Sequence, residues 1–114
     1  MLTESVMTCT LENLVGMQQN MAGRLQQLGV ESTLSQHVQS AAAKSFSAIC
    51  LNRDDDNHVR AALELTRGEL CLRMIFDGEE EPAGLAAALY CPPALRVVFR
   101  HQQGFGVWTA FWEK

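Results

Sequence analysis

The chain has 114 residues, a hydrophobic fraction of 47% and a formal net charge of −4. That length fits a single domain over residues 1–114, large enough to bury a core without staples, and the apolar content excludes a disordered segment. The negative balance and the lack of a basic stripe argue against nucleic acid as a partner. No apolar run approaches the roughly 18–20 residues of a membrane span.

The opening MLTESVMTCTLENL is polar and acidic, and no signal peptide is expected. Thr10–Leu28 reads as a first helix, with Leu14, Met17, Met21, Leu25 and Leu28 on one face and Gly29 as its stop. Gly16 and Gly23 within it are either tolerated or mark a close approach of another backbone. Ser32 is the expected N-cap of a second helix, Thr33–Leu51, whose small residues Ala41 and Ala42 suit tight packing on a sheet.

Asn52–Asn57 is a polar loop, and its three aspartates, Asp54–Asp56, read as a solvated turn rather than a metal site. Two strands follow. His58–Thr66 places Val59, Ala61, Leu63 and Leu65 on one face, and Glu69–Phe76 places Leu70, Leu72, Met74 and Phe76 together. Arg67-Gly68 makes the turn of this hairpin. Glu79–Glu81 reads as a solvated or partner-facing patch rather than a catalytic acid pair. Gly84–Tyr90 is predicted to be a short helix ended by Cys91-Pro92-Pro93. Ala94–His101 and Phe105–Trp112 are the last two strands. On the last, Phe105, Val107 and Phe111 oppose Trp108 and Trp112, and the alternation leaves open which set faces the core.

The four cysteines, Cys9, Cys50, Cys71 and Cys91, form no CxxC pair and have no histidine at ligand spacing, so no metal site is predicted. Cys50 and Cys71 read as small core residues, with reduced thiols in a cytoplasmic setting. His37, on the second helix, lacks the context of a phosphotransfer histidine, and His58 and His101 at strand ends are expected to be solvated. No Ser/His/Asp or Cys/His arrangement has a recognisable local context.

The order is α-α-β-β-α-β-β, which predicts an α+β two-layer sandwich with helices on one face of a mostly antiparallel four-stranded sheet. This order, the helix end RLQQLGV (24–30), the turn FDG (76–78) and the closing QGFGVWTAFWEK resemble the GHKL-type (Bergerat) ATPase fold of gyrase, Hsp90 and histidine kinases. The nearest resemblance is to the bacterial anti-sigma-factor serine kinases, and it runs from about residue 11 to the end. The family's motifs are degenerate here. Active members carry on the second helix a glutamate, an asparagine four residues on and often a histidine four further, one face aimed at the nucleotide. The matching positions are Lys44, Ala48 and Asn52, which offer neither a base nor a magnesium ligand there. In the family's D-x-G turn the aspartate accepts a hydrogen bond from adenine. Here the turn is Phe76, Asp77 and Gly78, and Asp77 is expected to point to the opposite face. The glycine-rich lid is cut to a connector with Gly84 alone.

The resemblance therefore implies a non-catalytic regulatory module, a pseudo-ATPase without cofactor, acting in bacterial signalling or partner switching. The implied partners are a sigma factor, an anti-sigma antagonist or a signalling kinase, and the first helix with Gly16 and Gly23 is a possible homodimer contact. Two alternatives stay open: a divergent but active ATP-dependent serine kinase or ATPase, and an unrelated acidic α+β protein of the secretion-chaperone kind.

Overall fold

The computed structural model describes residues 1–51, 53–78, 82, 85 and 94–113. In chain order it contains β1 (Leu2–Thr8), α1 (Leu11–Gln27), α2 (Ser32–Cys50), β2 (His58–Leu65), β3 (Glu69–Asp77), β4 (Arg96–Gln102) and β5 (Phe105–Glu113). The expected helix Gly84–Tyr90 and the patch Glu79–Glu81 lie outside the described residues.

The sheet has five strands in the order β1-β2-β3-β5-β4, every neighbouring pair antiparallel. This corrects the four-stranded expectation: a strand precedes the first helix. Its pattern is inverted relative to an ordinary amphipathic strand. Thr3, Ser5 and Met7 pair with Leu63, Ala61 and Val59 and so face the helices, while Leu2 and Val6 are 53% and 57% exposed. Arg24 of α1 makes the polar inner face workable. It donates to Thr3 Oγ1 and Ser5 Oγ at 3.1 and 3.0 Å, and to the carbonyl oxygens of Thr3 and Ala61 at 2.7 and 3.1 Å. Burial of the guanidinium lowers its pKa, and nearby Glu4 partly opposes that.

Both helices are bounded by identifiable caps. The Thr10 hydroxyl accepts from the amide of Asn13 at 3.3 Å. At the other end Gly29 (φ 72°) donates to the Gln26 carbonyl and Val30 to that of Leu25, the double bond of a Schellman stop. α2 begins one residue earlier than expected. Glu31, not Ser32, is its N-cap, with Oε1 accepting from Leu34 N at 3.0 Å.

Met17, Met21 and Leu25 of α1 and Val38, Ala42, Phe46 and Ile49 of α2 meet Leu63, Leu72, Met74 and Phe76 of the sheet in one core. Trp108 and Trp112 are buried in it, which decides the orientation of the last strand: Phe105, Val107 and Phe111 point the other way. Neither Gly16 nor Gly23 has another group near the place a Cβ would take, so neither marks a close approach within the chain.

Cys9 and Cys50 are joined in a disulfide with a Cα–Cα distance of 5.3 Å, correcting the expectation of reduced thiols. The bond links the start of α1 to the end of α2. The residues are 41 apart in sequence, and only the return of α2 antiparallel to α1 brings them together. Cys71 is free and buried, as expected of a small core residue, but it belongs to the sheet face turned away from the helices.

Candidate functional site

The positions that the resemblance matches to the family's motifs lie on the second half of α2 and at the end of β3. Lys44 and Ala48 lie one turn apart on α2, the first exposed and the second packed against the core. Asn52 lies outside the described residues. Phe76 is 2% exposed and points under the helices. Asp77 pairs with Phe105, so its side chain projects from the opposite face, where it lines a shallow depression with His58, Arg60 and Gln102. Gly78 follows with φ 131° and donates to the Gly104 carbonyl at 2.8 Å, which ties the turn to the β4–β5 hairpin.

The residue that joins these parts is Arg53, which the sequence placed only in a solvated loop. Its backbone continues from the end of α2, donating to Cys50 O at 3.0 Å. Its guanidinium then bridges helix and strand. Nη1 donates to the carbonyl of Ile49, and Nη2 donates to the carbonyl of Asp77 at 3.0 Å. Its central carbon stands 5.2 Å from the centroid of the Phe76 ring. A cation at a helix C-terminus also meets the negative end of the helix dipole.

Beneath the guanidinium the ring is packed on all sides. Phe99 of β4 stacks on it with centroids 6.1 Å apart and an interplanar angle of 26°. Gly106 of β5 lies directly against it: a Cβ there would come within 2.5 Å of Phe76 Cε2. The glycine is needed for space, not for its backbone angle. The volume under this turn is thus filled by the protein's own aromatic ring and closed by its own cation.

Among the described residues the turn has no carboxylate on its helix-facing side, and the two described α2 positions carry none. Among the described residues no group of three His, Cys, Asp or Glu side chains could hold a metal ion. The exposed Asp54–Asp56 segment is a turn, with Asn57 donating from both its backbone and side-chain nitrogens to the Asp54 carbonyl. His37 is half-buried on α2 beside Val30, Leu34 and Glu113, and His58 and His101 are exposed at strand ends.

No family model matches the chain, and no curated protein matches it. Among solved structures it is similar to the crystal structure of the RsbU and RsbW domains of Rv1364c from Mycobacterium tuberculosis, with a TM-score of 0.72 and 13% identity. The match covers 97% of this chain and 32% of that one, so the chain spans about a third of that protein's length. The likeness is one of fold. It agrees with the resemblance to GHKL-type anti-sigma-factor serine kinases carried by the sequence.

Proposed function

We propose that the chain is a non-catalytic, protein-binding regulatory module: a GHKL scaffold whose nucleotide site has been filled from within, acting in bacterial partner switching. One observation carries this reading. Where the resemblance puts an adenine-binding carboxylate, the chain has a buried phenylalanine capped by Arg53. A nucleotide entering there would have to displace both, losing the two guanidinium hydrogen bonds and the ring's burial. Lys44 and Ala48 offer magnesium no oxygen ligand in return.

The fold likeness supports the scaffold and, with it, a partner drawn from the sigma-factor, anti-sigma-antagonist or signalling-kinase classes. It weighs against an unrelated secretion chaperone. No described helix is long and apolar enough to cross a membrane. A homodimer through α1 belongs to the same proposal, as does a cytoplasmic site of action, for which the Cys9–Cys50 disulfide removes the reduced-thiol argument. α1 presents exposed Leu11 and Val15 one turn apart on its outer face, near the open space at Gly16. Calorimetric titration with ATP and Mg²⁺ tests the reading. No heat of binding is expected up to millimolar nucleotide, and saturable micromolar binding would overturn the pseudo-ATPase assignment in favour of a divergent kinase.

A further inference from the structure

The sheet face turned away from the helices carries side chains that the filled nucleotide site does not use. On its β3-β5-β4 half it collects Arg73, Arg96 and Arg100 around Val98, Val107 and Phe111. These residues are scattered in sequence, so no basic stripe is visible until the strands pair. Arg96 and Arg100 stand on edge strand β4 about 13 Å apart, and Arg73 lies two strands inward in line with Val98, about 12 Å from each.

The local environment leaves their charge available. Arg73 lies between Ala62 and Thr109, Arg100 is beside Val107, and Arg96 is beside Phe111, so no direct cross-strand neighbour is acidic. The next residues on the same face of each strand are also uncharged: Cys71 and Ile75 flank Arg73, and Val98 and Gln102 flank Arg100. The carboxylates of this face lie at its margins: Glu4 and Glu64 on β1 and β2, Asp77 at one end of β3, and the Glu69–Glu113 pair at the other end of β3 and β5, with Glu113 two residues beyond Phe111. The Arg96 guanidinium carbon lies over the Phe111 ring, 4.1 Å from its centroid. Together these residues line an open depression of about 500 Å³.

We propose that this half-face docks an acidic amphipathic segment of a protein partner. Its carboxylates would meet Arg73, Arg96 and Arg100, and its apolar side chains would rest on Val98, Val107 and Phe111. The inference rests on the protein-binding reading above and names the chemistry of the partner. Arginine forks suit carboxylates, and an apolar floor between them suits a segment that alternates charge with hydrophobic groups. On a helix, carboxylates eight residues apart span about 12 Å, close to the Arg96–Arg100 spacing. A nucleic acid fits less well, because its continuous phosphate charge would run onto the glutamates that border the patch in a chain of net charge −4. A second copy fits less well too. Arg73 is on the central strand, and a two-fold axis through the middle of the face would set it against itself.

The test is photocrosslinking in the cells that produce the protein, with p-benzoylphenylalanine placed at Val98 on the sheet or at Val15 on α1. The expected result is a protein adduct at Val98 whose crosslinked peptide is acidic. Its yield should fall about tenfold or more in the R73E/R96E/R100E background. Far-UV circular dichroism checks the fold of that variant, and R96Q/R100Q, confined to the exposed edge strand, gives the same comparison if the triple variant unfolds. An adduct at Val15 alone would overturn the sheet-face proposal and leave the protein-binding reading standing. A Val98 adduct to the chain itself, to nucleic acid or to a non-acidic peptide would overturn it, as would an undiminished yield in both charge variants. Loss of protein adducts at both positions would sink the two readings together.

Discussion

On β5, Trp108, Ala110 and Trp112 are enclosed beneath the helices, whereas Val107 and Phe111, on the same strand, lie partly open on the other face. β3 divides in the same way, with Leu72, Met74 and Phe76 inside and Arg73, Ile75 and Asp77 outside. The inner face, where the resemblance places nucleotide chemistry, is apolar and buried along these two strands. The charged groups of β3 in this region, Arg73 and Asp77, are on the outer face. The proposed closure of the nucleotide site and the proposed docking face thus lie on opposite sides of the same two strands.

The largest expected effect separates the faces directly. Trp108→Ala should cost about 3–5 kcal/mol by leaving a buried cavity, while Val107→Ala, its neighbour, should cost below about 1 kcal/mol. Urea unfolding of the two variants measures the difference, and equal losses would break the two-face description. Next comes the Cys9–Cys50 link, which closes the chain around both helices across a separation of 41 residues. C9S/C50S should lower stability by about 2–4 kcal/mol, and thiol titration of the unfolded wild-type chain should find these two sulfurs unreactive until reduction.

Arg53→Ala should cost about 1–2 kcal/mol, from the hydrogen bonds to the Ile49 and Asp77 carbonyls and the contact with the Phe76 ring. It should not create ATP binding, because Phe76 still fills the space. Nucleotide binding by this variant would make Arg53 the block and contradict a site closed by the Phe76 ring.

The smallest effect lies on the open face. Burial raises the Cys71 pKa above its ordinary 9.0, with Arg73 partly opposing. The folded state thus holds that proton more tightly than the unfolded state. Its contribution is intact below the unfolded pKa and is lost as pH rises through the folded value. Stability should decline more shallowly above about pH 9 in Cys71→Ser than in the wild type, as read from pH-dependent urea midpoints.

Much of this was legible in the sequence, for a physical reason that also explains the failures. The helices and four of the strands show the periods of one-sided burial, and the period of two correctly separates Phe76 from Asp77. β1 was hidden because its polar Thr3 and Ser5 face inward and its apolar Leu2 and Val6 face outward, an arrangement that depends on Arg24 reaching over from α1. The disulfide was hidden because its cysteines meet only after the helices fold back on each other. Arg53 sits in a run that looks like a solvated loop, and no local pattern reveals that its guanidinium spans to β3. The outer arginines belong to three segments that only strand pairing assembles.

The central claim is that the space around Phe76 is closed to nucleotide. The most direct measurement is an amide chemical-shift titration of the isotopically labelled protein with ATP and Mg²⁺. No saturable shifts are expected at Ala48, Arg53 or Phe76–Gly78. Saturable shifts clustered at those amides would contradict it.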